Sequence, residues 1–205
     1  MVNWVVLMSI DNSLKELRSV FEVNMNSAEL FIQLADLKKL RGELRGLRPV
    51  AIIRDSLGPM RLIINDICNK IYEVGLPQTV VFIVACFEYC LKEGYRGLKG
   101  GDLTDKENKS FLKPDAIRSL YGKIVKKDVL DGDEKLVRRV KAIVQERHVI
   151  VHRAGVLDRN AYLALEEAGL NRGNVGSKLK LSPEIVSEDI DHLKTFVMRI
   201  LDHVS

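Results

Sequence analysis

Pro77-Gln78-Thr79-Val80-Val81-Phe82-Ile83-Val84-Ala85-Cys86-Phe87-Glu88-Tyr89-Cys90-Leu91-Lys92 is the stretch whose reading decides the fold class. It is apolar on nearly every side, and periodicity does not separate a buried helix from a buried strand in such a run. Length does, because the run is longer than an ordinary strand. Pro77 suits the first turn of a helix, where its missing N–H is no loss, and Gly94 suits the far end. The stretch therefore predicts a helix through the centre of the core. Glu88 is the one charge inside it. A carboxylate removed from water without a partner costs several kcal/mol, so an arginine or histidine from another helix is expected to face it.

The flanking segments read as helices too. From Ser13 to Leu47, apolar residues recur at spacings of three and four, among them Leu14, Leu17, Phe21, Ala28, Phe31, Leu34, Leu37, Leu40 and Leu44. Ser13 with Glu16 has the pattern of a capping box, and Pro49 ends the segment at Arg48. Gly58-Pro59 opens a second helix carrying Leu62, Ile63, Ile67 and Ile71, which Gly75 closes. Gly94 to Lys113 reads as a long loop, and Pro114 starts a short helix with Ile117, Leu120, Tyr121, Ile124 and Val125 inward. Asp133 caps a helix striped by Leu136, Val140, Ile143, Val144, Arg147 and Val151 that ends at Gly155. Asp158 caps a short helix closed by Gly169, and 178–181 alternates like a short strand. Ser182-Pro183-Glu184 begins a final helix with Val186, Ile190, Leu193, Val197, Ile200, Leu201 and Val204 on one stripe. The expected architecture is an all-α bundle of five to seven helices. Residues 1–76 form an N-terminal helical segment that packs on or extends a core spanning 77–205, one domain overall.

With 205 residues, 46% of them apolar, the chain has the composition of a globular protein. Three cysteines argue against a disulfide framework and for a reducing compartment. The apolar run 1–10 lacks a basic flank and a cleavage site and is too short to span a bilayer. The expected location is the cytoplasm, away from membranes. The net charge of +4, from 32 basic and 28 acidic side chains, is a weak argument for nucleic acid. Lysines and arginines do gather between Lys92 and Lys127, a pattern that a solvated face also produces.

Glu146-Arg147-His148-Val149-Ile150-Val151-His152-Arg153-Ala154-Gly155 concentrates chemistry instead. Two of the four histidines lie here beside two arginines. His148 and His152, four apart on a helix, share a face, whereas Arg147 and His152 are about 140° apart in azimuth. Arg147 continues the apolar stripe, so its guanidinium needs an anion, for which Glu88 and a phosphate oxygen are both suitable. Histidine, whose ordinary titration lies near neutral pH, suits general acid or base work. Cys86-x3-Cys90 with His148-x3-His152 would also satisfy zinc. Cysteines inside a run apolar on all sides are more ordinarily core residues, and no metal site is expected.

Arg147-x4-His152, at the end of an apolar helix and before a glycine, resembles the Rx4-6H motif of the HEPN superfamily. The downstream Gly155-Val156-Leu157-Asp158 and Leu181-Ser182-Pro183-Glu184-Ile185-Val186, followed by a final helix, resemble the RiboL-PSP-type branch, from Pro77 to Ser205. The resemblance implies a small all-α domain acting as a homodimer and a metal-independent endoribonuclease without cofactor, in toxin–antitoxin or defence systems. It implies RNA as substrate and an antitoxin protein as a further partner. Arg147 would then hold the scissile phosphate, and His152 would move the proton between the ribose 2′-OH and the leaving oxygen. His148 stands where the family commonly has asparagine, and Ala154 where this branch often has glycine. Glu88 is expected, from burial and not from the motif, to orient Arg147. The alternatives are a non-catalytic HEPN-like module that binds RNA or protein, and a helical scaffold in which Arg147 and Glu88 only tie helices together.

Overall fold

Seven α-helices, without a named β-strand, make up the residues that the computed structural model describes, 4–35 and 71–204. They are α1 (Trp4–Ala35), α2 (Leu76–Lys99), α3 (Asp105–Ser110), α4 (Pro114–Val125), α5 (Glu134–Arg153), α6 (Arg159–Glu167) and α7 (Pro183–Asp202). A π-helical turn, Ile71–Gly75, leads into α2. The protein is an all-α helical bundle, as its periodicities require.

The apolar run that decides the fold class is the central helix. α1, α4, α5 and α7 all pack against α2, and Leu76, Val80, Ile83, Val84, Phe87 and Leu91 are removed from solvent. By length and composition this helix would pass for a membrane span, but its position among four helices accounts for much of that apolarity. α1 contributes Leu14, Phe21, Met25, Ala28 and Ile32 to the same core, and α7 contributes Val186, Ile190, Leu193, Phe196, Val197 and Ile200. Ion pairs fasten α1 to α7: Arg18 donates to Asp202, and Lys194 to Glu29.

Several boundaries differ from the sequence expectation, each for a local reason. α1 begins at Trp4, so Ser13 is an interior helical residue and not a cap. The expected helical residues Leu37 to Leu47, the break at Pro49 and the start at Gly58-Pro59 lie outside the described residues. Gly75 closes nothing: its backbone is helical, at φ −68° and ψ −48°, and the π turn runs on into α2. Pro77 does occupy the first turn. α2 continues through Gly94 and Gly97 to Lys99, and Gly100, at φ 71°, ends it. Gly94 is there for space, since an added Cβ would stand 2.8 Å from the Tyr121 hydroxyl.

The expected loop from Gly94 to Lys113 is therefore mostly helix. Its middle forms α3, where Thr104 Oγ1 accepts from the Glu107 N–H and the Glu107 carboxylate accepts from the Thr104 N–H. The strand expected at 178–181 is reduced to a single antiparallel bridge between Val156 and Lys178. The caps fall where the sequence puts them: Asp133 accepts from the Leu136 N–H at 3.0 Å, Asp158 from Ala161 at 2.9 Å, and Ser182 from Ile185 at 3.3 Å.

Candidate active site

α5 carries the arginine and both histidines. Its stripe Leu136, Val140, Ile143 and Val144 is buried against the core. Arg147 continues that stripe half-buried, and Val151, one turn further, is 46% exposed. Arg147 thus stands where the buried face of the helix emerges into solvent. Across from it on α2 is Glu88, half-buried and not deep in the core as its sequence context suggested. Arg147 Nε and Glu88 Oε1 are both shielded from solvent, and neither has a hydrogen-bond partner. The two side chains communicate through charge: burial pushes the Glu88 carboxyl above its ordinary range, and the Arg147 and Lys92 cations oppose that.

His148 and His152 occupy the outer face of α5, both exposed. Their rings lie 4.8 Å apart, centroid to centroid, tilted by 48°. They form a single imidazole ridge open to solvent. Arg147 points about 100° away from His148 and about 140° away from His152, as helical geometry demands. One copy of α5 thus presents its proton-carrying groups and its guanidinium in different directions.

The helix end beside this ridge is held tightly. Ala154, the cap residue, is itself left-handed, at φ 49° and ψ 34°, just ahead of the glycine expected to close the helix. Gly155 follows at φ 77°, and its N–H donates back to Val149 O at 3.1 Å. Ala154 pays a steric cost that glycine would avoid. A strap formed by residues 170–181 then crosses the end of α5. Leu157 N–H donates to Ser177 O at 2.9 Å, Gly176 N–H to Leu157 O at 2.8 Å, and Leu179 N–H to Gly155 O at 2.8 Å. Lys178 Nζ donates to Ala154 O, one of the carbonyls that the helix leaves free.

Sequence reasoning missed the most buried charges. Glu146, the neighbour of Arg147, is fully buried, Asp189 of α7 is 2% exposed and Arg172 of the strap 5%. Arg172 Nε donates to Glu146 Oε1 at 3.1 Å, and Arg172 Nη2 to Asp189 Oδ1 at 3.2 Å. The signal was present in the helical spacing. Glu146 shares a face with Ala142, Val149 and Ile150, and Asp189 shares one with Val186, Leu193 and Phe196.

The cysteines stay apart from the histidine ridge. Cys90 is buried and Cys86 half-buried on α2, and burial pushes the Cys90 thiol up to about 12. Among the described residues no three His, Cys, Asp or Glu side chains are grouped to hold a metal ion.

α2, the helix that carries Glu88, also exposes apolar side chains. On α2, Phe82 is 45% exposed and Tyr89 58%, with Ala85 exposed between them on the same face. On α5, Val151, one turn beyond Arg147, is exposed as well. No family model, curated protein or solved structure matches the chain.

Proposed function

We propose that the chain is a metal-independent endoribonuclease of HEPN type, a toxin or defence effector of the cytoplasm, whose working form is a homodimer. The observation that carries the reading is the end of α5: an exposed pair of imidazoles, 4.8 Å apart, beside an arginine whose Nε is unpaired. Arg147 holds the non-bridging oxygens of the scissile phosphate and offsets the charge that builds there. One histidine takes the proton of the ribose 2′-OH as that oxygen attacks phosphorus. A second gives a proton to the 5′-oxygen as the P–O5′ bond breaks, leaving a 2′,3′-cyclic phosphate and a 5′-hydroxyl. His152 is assigned to the proton transfer, and His148 supports it. RNA is the substrate because the 2′-OH is the nucleophile.

Two copies of α5 supply what one does not. Arg147 and His152 diverge by about 140° on a single helix, so the arginine of one copy serves the histidine of the other. The exposed apolar side chains Phe82, Ala85 and Tyr89 on α2 and Val151 on α5 support such a contact, since exposed apolar surface marks association surfaces. Glu88, which acts on Arg147 through charge, orients the guanidinium in this reading. An antitoxin would act by covering the same surface.

The test is RNA cleavage in EDTA, with sedimentation to establish the oligomeric state. Cleavage by the wild type, lost in His152→Ala and in Arg147→Ala while both stay folded, supports the reading. RNA that is bound but never cut makes the protein a non-catalytic binding module. A monomer at micromolar concentration that still cuts RNA removes the composite site.

A further inference from the structure

The Arg172, Glu146 and Asp189 cluster leaves two oxygens unexplained. Arg172 bonds one oxygen of each carboxyl, and the other two, Glu146 Oε2 and Asp189 Oδ2, have no partner although both are out of solvent. Two buried carboxylates sharing one guanidinium would also carry a net negative charge in a low-dielectric interior, which is costly. One proton removes both problems. We propose that Glu146 is protonated and donates from Oε2 to Asp189 Oδ2, making with Arg172 a neutral buried clamp that fixes the strap on α5 and so positions the histidine ridge.

The two carboxyl side chains lie within hydrogen-bonding reach of each other. Glu146 is the member that keeps the proton, because it is the more deeply buried of the two. Burial and then the charge of Asp189 push Glu146 well above the ordinary range, against the pull of Arg172. The charged groups acting on it are thus Asp189 from α7 and Arg172 from the strap.

The clamp reaches the proposed active site along two routes. Glu146 lies between Arg147 and the turn before it on α5. Arg172 also begins the strap whose far side bonds Gly155, Leu157 and Ala154 at the end of the same helix, and Lys180 N–H donates to Arg172 O at 2.9 Å to close the loop. Arg172 and Glu146 are therefore positioning residues: they touch no substrate, and they set where the last two turns of α5 stand. The sign follows from the direction of the shift. A carboxyl whose folded pKa lies above its unfolded one contributes stability that is complete below the unfolded value of 4.5 and is lost as pH rises toward the folded value. Raising the pH toward that folded value should loosen the strap.

The positioning role rests on the proposed nuclease reading, and the clamp itself does not. Infrared spectra of the wild type should show a protonated-carboxyl C=O band at neutral pH that Glu146→Gln removes. Glutamine can still accept from Arg172 and donate to Asp189, so that variant should fold as the wild type does. Amide exchange at Leu157 and Leu179 should accelerate by about tenfold beyond the intrinsic pH effect as the band disappears, and Glu146→Gln should abolish that step. The ring signals of His148 and His152 should show an inflection at the same midpoint in the wild type only. A missing band, or a band that survives Glu146→Gln, overturns the shared proton. A band that titrates without any change in strap exchange or in the histidine signals overturns the positioning role. Absence of RNA cleavage with all three signatures present leaves the clamp standing and rejects the nuclease.

Discussion

Gly94→Ala and Gly97→Ala add the same methyl group to the same helix, yet opposite outcomes are expected. Alanine in a helix interior is favoured over glycine by about 0.5–1 kcal/mol. At Gly97 no atom lies within 4 Å of the new Cβ, so that gain should be realised. At Gly94 the new Cβ would stand 2.8 Å from Tyr121 Oη, with Leu14 and Leu201 at 3.7 Å around the same point. Tyr121 is fully buried, donates to Leu91 O at 2.6 Å, and has the Tyr95 ring 5.6 Å away. It has little room to retreat. Forcing the hydroxyl off its acceptor leaves a buried donor unpaired, at about 1–3 kcal/mol, and overpacking adds about 1–3 kcal/mol. After the helical gain, Gly94→Ala should lose about 3 kcal/mol, the middle of a range of about 1–5 kcal/mol. For a chain of this size that lowers Tm by about 5–10 °C, against a rise of about 2 °C for Gly97→Ala. Urea unfolding followed by far-UV circular dichroism, with thermal melts alongside, measures both. Adding Tyr121→Phe to Gly94→Ala removes the colliding oxygen and should recover about 1 kcal/mol or more relative to additivity. A Gly94→Ala protein as stable as Gly97→Ala, or no recovery with Tyr121→Phe, refutes the steric reading.

Three further outcomes are expected. Ala154→Gly relieves a left-handed side chain at φ 49° and should raise the urea midpoint by the equivalent of about 0.5–1 kcal/mol; an unchanged or lowered midpoint would contradict the strain. Cys90, with its thiol near 12, should resist iodoacetamide at neutral pH in the native protein and react once unfolded, as read by peptide mass spectrometry. Glu107 is held down to about 2 by the Lys99 ammonium and then by the Thr104 backbone and hydroxyl. Its contribution to the α3 cap should be complete above the ordinary glutamate range and lost as pH falls toward about 2. Carboxyl NMR titration should show this depression, and Lys99→Met should reduce it.

What was legible in the sequence followed physical strength. Caps at Asp133, Asp158 and Ser182 were readable because each side chain can bond only the N–H groups of a helix start at that spacing. The apolar stripes of α5 and α7 were readable because burial selects by period. Ser13 misled because serine followed by glutamate three residues on also occurs inside a continuing helix, where no free N–H awaits it. Gly94 misled because glycine ordinarily ends a helix; here a tyrosine from α4 needs the missing Cβ, a long-range demand with no local trace. At the candidate site, Arg147, His148 and His152 were legible as a cluster of scarce residue types. The clamp was not, because Glu146, Arg172 and Asp189 come from three segments, and each looks like a surface charge until the helices are wheeled against their neighbours.

The bonds from α1 to α7 join residues separated by 184 and 165 positions, whereas the strap, the clamp and the end of α5 fall between residues 142 and 189. During synthesis these two parts mature at different times. The ridge end of α5 can close on its strap over a short length of chain, since short loops cost less entropy to close. α1 must wait, its Leu14 to Ile32 face uncovered on the α7 side, until α7 has left the ribosome. A helix made early is thus among the last to find all its partners, because its far side waits for α7.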